Sequence, residues 1–591
     1  MKTKLRNEKV AIWKKIFDTT FVVSGLLVLI CLIFLIGFYL PDTTIDFVII
    51  IADIGLFAYL LQEFGRWFIV RNHNQYFRER WIENLIGVLI IFQLIFPDVT
   101  MYLLSFVLPK LAFRDFLMIY MALMSLTLLL LFAIKLLRYN HLIAKINLHP
   151  GAIIAISFFV AILVGSFLLM LPRATPPDNP ISYVDALFTS ASAVCVTGLT
   201  VVDTGRSFTT IGHVFIAFLI QIGGLGVMTL TTFFAFAIAG GLSLRVRIMM
   251  RDLLSQESVD EVKSLLLKIL GFTLLLEIIG SFIMYFSMGK SLVNFDKVEY
   301  YYSLFHAISA FCNAGFSLYS DNLMYFTIKE NHVYIWTIVV LVVIGGLGFT
   351  VIMNLTAKLL SKRRNRSYRL SLTTKLTLLT SGILVFGGTA LIMLFEPWGF
   401  LLGDSFYEEF YHATFISVCA RTAGFNTVST DMLSHATLIL VMFLMWVGAS
   451  PGSTGGGIKT TTFAVTIYAL YSMIVGKERI EIFKREIHYN TVKQAFMVVI
   501  ASIMFIFVGS MLLVWFEPNM DTTDLIFEVM SAVNTVGLSR GVTPDFGTDS
   551  KVLIVILMFV GRVGVLTFLL SLHIPRQEPK YKLPTENVIV G

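Results

Sequence analysis

The sequence predicts an all-α integral membrane fold in which four helix, half-helix, helix units surround one axis, preceded by an extra four-helix bundle at the N-terminus. Three observations carry this expectation. Hydrophobic residues fill 57% of the 591 positions and charged residues only 14%, with a mean hydropathy of +0.82. Soluble domains carry roughly 25% charged residues, so this chain lacks the polar surface needed to face water. Apolar runs of membrane-spanning length recur along the chain, and four short segments between them repeat one pattern at near-equal spacing.

A hydrocarbon core about 30 Å thick takes roughly 20 apolar residues as helix. Runs of that kind cover 17–40, 46–70, 84–108, 113–137, 152–172, 209–240, 263–288, 333–357, 372–396, 433–473, 493–517 and 551–573, twelve in all. The first is long enough to span and lacks a small-residue cleavage site, so it reads as a span and not as a signal peptide. Basic residues gather before Phe17 (Lys2, Lys4, Arg6, Lys9, Lys14, Lys15) and at Arg71–Arg80, Arg138–Lys145, Arg245–Lys263, Lys358–Arg369, Lys477–Lys493 and Arg576–Lys582. Each cluster follows an even number of spans, which puts both termini in the cytoplasm of a multi-pass protein of the cell (inner) membrane. The net charge of +7 is the footprint of those loops, so the expected partner is membrane lipid and no nucleic acid. The four cysteines, Cys31, Cys195, Cys312 and Cys419, all fall in apolar stretches and read as buried packers, not a disulfide framework.

Residues 1–147 form the accessory bundle. Its four spans, with EFGRW (Glu63–Trp67) and YFRERW (Tyr76–Trp81), resemble a voltage-sensor bundle. A working sensor needs an Arg-rich fourth helix, whereas the run 113–137 holds only Arg114, Asp115 and Lys135, all near its ends. A non-sensing bundle is expected.

The four repeated segments begin at Asp185 (DALFTSASAVCVTGLT), Tyr302 (YSLFHAISAFCNAGFS), Tyr411 (YHATFISVCARTAGFN) and Asp524 (DLIFEVMSAVNTVGLS). Each runs from an aromatic-rich start through small residues to a glycine, at Gly198, Gly315, Gly424 and Gly537, so that successive glycines lie 117, 109 and 113 residues apart. Internal repeats at a fixed period define the architecture, and the expected units are 148–250, 251–360, 361–482 and 483–591. Twelve residues of helix rise only about 18 Å, half-way into a bilayer, so the segments read as re-entrant half-helices.

Non-helical backbone at membrane depth is tolerated where it is buried in protein or lines a water-filled cavity. Four such loops point to a shared aqueous axis, lined by Val196, Thr197 and Gly198, by Asn313, Ala314 and Gly315, by Thr422, Ala423 and Gly424, and by Thr535, Val536 and Gly537. Glycine adopts φ > 0 readily, letting successive carbonyls turn toward one axis, and rings of carbonyls can replace the hydration shell of K⁺. Half-helices entering from outside point their C-terminal dipole ends inward, which favours a cation there. The alternative is four tight turns with glycine for steric reasons.

These segments resemble the Trk/Ktr/HKT superfamily of potassium transporters, specifically its pore subunits. The resemblance covers about 150–575 and includes IGGLG twice (Ile222–Gly226 and Ile344–Gly348), GASPGSTGGGIKTTT (Gly448–Thr462) and GRVGVLTF (Gly561–Phe568). It implies a pseudo-fourfold pore for K⁺ uptake in one chain, a homodimer, and a separate cytosolic nucleotide-binding ring that regulates it. The only cargo it implies is K⁺, with no cofactor held by this chain. In that superfamily, serine replacing the first-repeat glycine goes with sodium transport, and Gly198 here favours potassium. The chain departs from the TVGYG of potassium channels by keeping one glycine per filter, so looser selectivity is expected. Arg540 follows the fourth filter closely. Asp203, Asp321, Asp431 and Asp545 follow their glycines by five to eight residues and either attract cations or cap the next helices.

Gly452, Ser453, Thr454, Gly455, Gly456, Gly457 and Lys459 suggest a phosphate-binding loop, but Ile458 separates Gly457 from Lys459 and the segment interrupts a membrane span. Glycines and proline break helix, so an intramembrane gating loop below the filter is expected, with packing glycines as the alternative. Arg562 sits in the last span, and the resemblance places it facing the pore as an electrostatic constriction; pairing with an acid between helices is the alternative. Glu277, mid-span, is expected to hold the backbone of a neighbouring loop, and Glu396 and Glu517 to lie at the interface. A membrane-embedded enzyme would need paired acids, a His cluster or an exposed nucleophile; the ten histidines are scattered and no HExxH occurs. A Na⁺- or H⁺-coupled potassium symporter on the same scaffold is the competing reading.

Overall fold

The computed structural model describes residues 42–69, 150–239, 259–290, 296–363, 369–396, 405–477 and 479–571, with scattered positions between 20 and 41 and residues 584 and 586. Within residues 1–147, α1 (Asp42–Ile69) covers the second expected span. The spans expected at 84–108 and 113–137, and with them the question of a charge-bearing fourth helix, lie outside the described residues.

From residue 150 the same order of elements recurs four times. A long helix comes first: α2 (Pro150–Leu169), α5 (Val259–Ser287), α9 (Leu372–Phe395) and α13 (Tyr489–Phe516). A short helix follows: α3 (Tyr183–Cys195), α6 (Lys297–Phe311), α10 (Phe406–Cys419) and α14 (Thr522–Val533). Each short helix starts at a side-chain cap, Ser182, Asp296, Ser405 or Asp521, whose oxygen accepts from first-turn N–H groups, and each carries an acid in that first turn. Caps and acids together satisfy the free N–H groups and the positive end of the helix dipole. This is why segments of 12–15 residues hold as separate helices.

The third element differs between repeats. In the first, α4 (Thr210–Ala239) is continuous. In the second, α7 (His332–Leu347) and α8 (Phe349–Arg363) meet at a bend of 96°. In the third, α11 (His435–Trp446) and α12 (Thr460–Ile474) are separated by residues 447–459. In the fourth, α15 (Thr548–Val563) and α16 (Val565–Ser571) divide at Gly564. The runs 333–357 and 551–573, expected as unbroken spans, are therefore interrupted. Gly348 and Gly564 have φ of +87° and +89°, a backbone no helix contains and that glycine alone adopts without strain. At the first break the freed N–H of Phe349 donates to Gly452 O at 3.0 Å.

Each long helix packs on the short helix of its own repeat, and each third element packs on the short helix of the next: α4 on α6, α7 on α10, α11 on α14, and α15 back on α3. The last pair closes the cycle. Ties between the first and third elements recur as well. Thr209 Oγ1 donates to Arg173 O at 2.6 Å and Asn331 Nδ2 to Ser287 O at 2.9 Å. Glu396 Oε1 accepts from Ser434 N at 2.9 Å, and Glu517 Oε1 from Gly547 N and Ser550 Oγ, both at 2.7 Å. Glu396 is fully buried. Both acids satisfy N–H groups at the start of a partner helix 30 to 40 residues on, so each caps the third element of its repeat.

Among the described residues, Lys268–Ser287, Leu372–Phe395 and Tyr489–Phe516 are long and apolar enough to cross a membrane, and the bent pair His332–Leu347 and Phe349–Ser361 makes a fourth candidate. On α13, Ile500, Ile503, Met504, Phe507 and Met511 form an exposed stripe at helical spacing. Such a stripe suits a hydrocarbon solvent. Between α12 and α13 lies a small hairpin, β1 (Glu481–Ile482) and β2 (Arg485–Glu486).

Candidate functional site

The four central glycines meet. Gly198, Gly315, Gly424 and Gly537 have φ of +94°, +71°, +74° and +94°. A Cβ on Gly198 would lie 2.5 Å from Ala314 O, one on Gly315 2.8 Å from Ala423 O, one on Gly424 2.6 Å from Val536 O, and one on Gly537 2.1 Å from Thr197 O. Each glycine thus abuts the carbonyl preceding the next, and the fourth returns to the first. Glycine is required twice over, by the left-handed backbone and by the missing space.

A second left-handed residue precedes each glycine by two: Val196 (φ 55°), Asn313 (59°), Thr422 (72°) and Thr535 (49°). For β-branched Val and Thr this conformation is a genuine outlier, and such strain clusters at functional sites. The turn therefore alternates left-handed, ordinary, left-handed in all four repeats. In three repeats a serine of the half-helix holds the turn: Gly198 N donates to Ser192 Oγ and Gly537 N to Ser531 Oγ, each at 3.0 Å, and Ser309 Oγ donates to Phe316 O at 2.8 Å. The third repeat has Val418 at that position, and Gly424 N donates instead to Cys419 O at 3.3 Å.

The loop between α11 and α12 lies directly beneath the ring. Thr454 Oγ1 reaches Phe311 O at 3.2 Å and Asn313 Oδ1 at 3.3 Å. A Cβ on Gly455 would lie 2.1 Å from Thr422 Oγ1, and one on Gly456 2.0 Å from Thr535 Oγ1. Three consecutive loop residues thus face the left-handed residues of repeats two, three and four. Ser453 Oγ donates to Ser450 O at 2.6 Å, and Gly457 takes φ +66°. Lys459 Nζ donates to Gly455 O at 2.8 Å. The guanidinium of Arg562, buried, donates to Thr454 O and to Gly223 O of α4, joining the loop to the first repeat. It has no carboxylate partner among the described residues. Below the loop is a cavity of about 320 Å³, lined by residues including Gly224, Phe349, Lys459, Asn534, Arg562 and Gly564.

Thr422 Oγ1, Thr535 Oγ1, Asn313 Nδ2 and Thr197 Oγ1 are buried without a partner among the described residues. The three orphaned threonine hydroxyls beside the carbonyls that abut the glycines are oxygen donors suited to a weakly held monovalent cation in transit, whereas Asn313 Nδ2 can only donate. No cluster of three or more His, Cys, Asp or Glu suited to a resident metal occurs among the described residues.

The remaining polar groups are placed as follows. Arg540 Nε pairs with Asp524 Oδ1 at 2.6 Å and its Nη1 donates to Thr430 O at 3.0 Å, so its charge is answered locally. Asp203 caps the short turn Thr204–Ser207, whereas Asp321 makes no side-chain cap. Asp431 accepts from Ser429 Oγ, and the 3₁₀ turn holding Asp545 has no side-chain cap bond. Glu277 faces the Cys312 thiol at 3.9 Å, at the end of α6, where a loop backbone was expected. The letters Gly448–Gly452 also spell the G-x-S-x-G of a hydrolase elbow. That motif needs a strand-to-helix turn, while Ser450 is buried in the loop between α11 and α12 with Thr460 Oγ1 at 3.4 Å.

A sequence model of the family described as TrkH, cation transport protein, matches residues 119–582. Ktr system potassium uptake protein D of Bacillus subtilis (strain 168) is 35% identical over 459 residues, covering 77% of this chain and 100% of that protein. Potassium/sodium uptake protein NtpJ of Enterococcus hirae is 37% identical over 459 residues, covering 75% and 98%. The crystal structure of the potassium transporter TrkH from Vibrio parahaemolyticus has the same fold, with a TM-score of 0.57 at 19% identity over 83% of this chain and 98% of that one.

Proposed function

The chain belongs to the TrkH family of cation transport proteins and is an all-α, multi-pass membrane protein; from that premise we propose that it carries out potassium uptake through a selectivity filter of backbone carbonyls, one quarter from each repeat. The carrying observation is the cyclic contact of Gly198, Gly315, Gly424 and Gly537, each against the carbonyl before the next. Val196, Thr197 and Gly198 with their three counterparts supply the filter. Gly452–Gly457, Lys459 and Arg562 form the gate, because they occupy the inner end of the same axis.

The repeats are 148–250, 251–360, 361–482 and 483–591, with 1–147 as an accessory bundle and both termini cytoplasmic. The cyclic packing supports the repeat boundaries, and the seven basic clusters support the orientation. A homodimer regulated by a separate cytosolic nucleotide-binding ring fits a pore subunit whose relatives are named as parts of a Ktr system.

A coupled symporter is the second reading, favoured by the relative named for both potassium and sodium uptake. K⁺ uptake into proteoliposomes, with and without a Na⁺ or H⁺ gradient, separates the two. A channel-like pore follows the K⁺ gradient alone. Uptake that stops when the second gradient is removed establishes the symporter instead.

A further inference from the structure

In two of the four repeats the segment just beyond the central glycine is held from behind by the same device. In the fourth, Ser539 Oγ accepts from Gly541 N at 2.9 Å and donates to Glu528 Oε1 at 2.6 Å. In the second, Ser317 Oγ accepts from Tyr319 N at 3.0 Å and lies 3.0 Å from His306 Nε2. The histidine tautomer follows from its other side. Nδ1 is 2.8 Å from Tyr302 O, which only accepts, so Nδ1 carries the proton and Nε2 accepts from Ser317. Both serines stand two residues after their glycine, and Glu528 and His306 stand at one shared position, nine residues before it. Both of these side chains are fully buried.

Glu528 is the stronger anchor. It also accepts from Arg540 N and from Thr543 Oγ1, each at 2.8 Å. A buried carboxyl that accepts three bonds fixes each donor in place. In the first repeat the same two positions are Thr189 and Thr200, and Thr189 Oγ1 has no partner among the described residues. In the third they are Phe415 and Asn426, and a phenyl ring accepts no such bond. Repeats two and four are opposite each other in the cycle.

We propose that Glu528 and His306 are positioning residues for ion discrimination: they fix the outer end of the filter in the second and fourth repeats, across one diagonal of the ring, with Glu528 dominant. This rests on the reading of the glycine ring as an ion filter. Discrimination between K⁺ and Na⁺ depends on the size and stiffness of the carbonyl ring, so a loosened outer turn admits the smaller ion.

The test is K⁺ and Na⁺ uptake by full-length protein in proteoliposomes, at equal amounts of inserted protein. Glu528→Ala and Ser539→Ala should each lower the K⁺:Na⁺ uptake ratio roughly fivefold, the scale of one lost hydrogen bond. His306→Ala should lower it less. Glu528→Gln keeps an acceptor toward Ser539 and Arg540 N and should hold the ratio near that of the parent. A merely structural role would reduce both ions together and leave the ratio alone. Where Glu528→Ala does not insert, Ser539→Ala removes the same bond from the other side. An unchanged ratio in Ser539→Ala, or a fall in Glu528→Gln as large as in Glu528→Ala, overturns the proposal. Gly198→Ser in the same assay locates the failure. If it shifts the ratio while Ser539→Ala does not, the filter stands and the positioning role falls; if neither shifts it, both fall.

Discussion

Arg562 makes its bonds to two carbonyls, Thr454 O in the loop and Gly223 O in α4, and so places a positive charge where a cation would leave the ring inward. Two unit charges 4 Å apart at an effective dielectric of about 20 differ by about 4 kcal/mol, and water in the passage reduces this. Arg562→Ala should therefore raise K⁺ flux by about tenfold or more without changing the K⁺:Na⁺ ratio, measured as initial uptake rates. A rate no faster than the parent's, in protein that folds and inserts, places the gate elsewhere. At this scale the sequence was legible where chemistry leaves one choice. The four glycines were readable because no other residue takes their φ in that space. The strained Val196 and Thr535 were not, since a β-branched residue carries no local signal for a left-handed backbone. Glu528 was equally hidden, its partners Ser539 and Thr543 lying beyond the turn.

Elements depend on what meets their ends. The loop of residues 447–459 stays unwound because it is bonded at several points: to α7 through Thr454 N and Gly345 O at 3.3 Å, to α8 through Phe349 N, and to its own Lys459. Shortening Gly452–Gly457 should raise K⁺ flux and weaken dependence on a cytosolic regulator. Its effect should be less than additive with Arg562→Ala, because both obstruct one path. Glu517→Ala tests a different role, since it removes the cap on α15. It should lower the midpoint of thermal unfolding in detergent by an amount near 1 kcal/mol of stability while leaving the ion ratio at the parental value. A changed ratio would move Glu517 into the ion path. The half-helices were legible from length and spacing, and their caps Ser182, Asp296, Ser405 and Asp521 follow ordinary capping preferences. The breaks at Gly348 and Gly564 were not, because apolar composition runs unchanged through both, and the cause of the first is a loop carbonyl a hundred residues away in the chain.

For the molecule as a whole, the cycle of packing from α4 on α6 round to α15 on α3 makes the four repeats mutually dependent, with the salt bridge from Lys551 Nζ to Asp185 Oδ1 at 2.7 Å joining the last to the first. Residues 1–147 are proposed as an accessory bundle. Moving one charge across the membrane field is worth about 2.3 kcal/mol per 100 mV, and the run 113–137 has no charge in its middle. Deleting 1–147 should therefore leave the voltage dependence of conductance unchanged in patch recordings, and a steep dependence abolished by the deletion would contradict this. The central claim is that K⁺ passes the ring of four glycines. Its most direct measurement is the uptake of K⁺ and Na⁺ by Gly198→Ser in proteoliposomes beside the parent. A serine Cβ there meets Ala314 O at 2.5 Å on a backbone of φ +94°, so one quarter of the ring must shift, and the account predicts a larger share of Na⁺. An unchanged ratio in inserted, folded protein would contradict it.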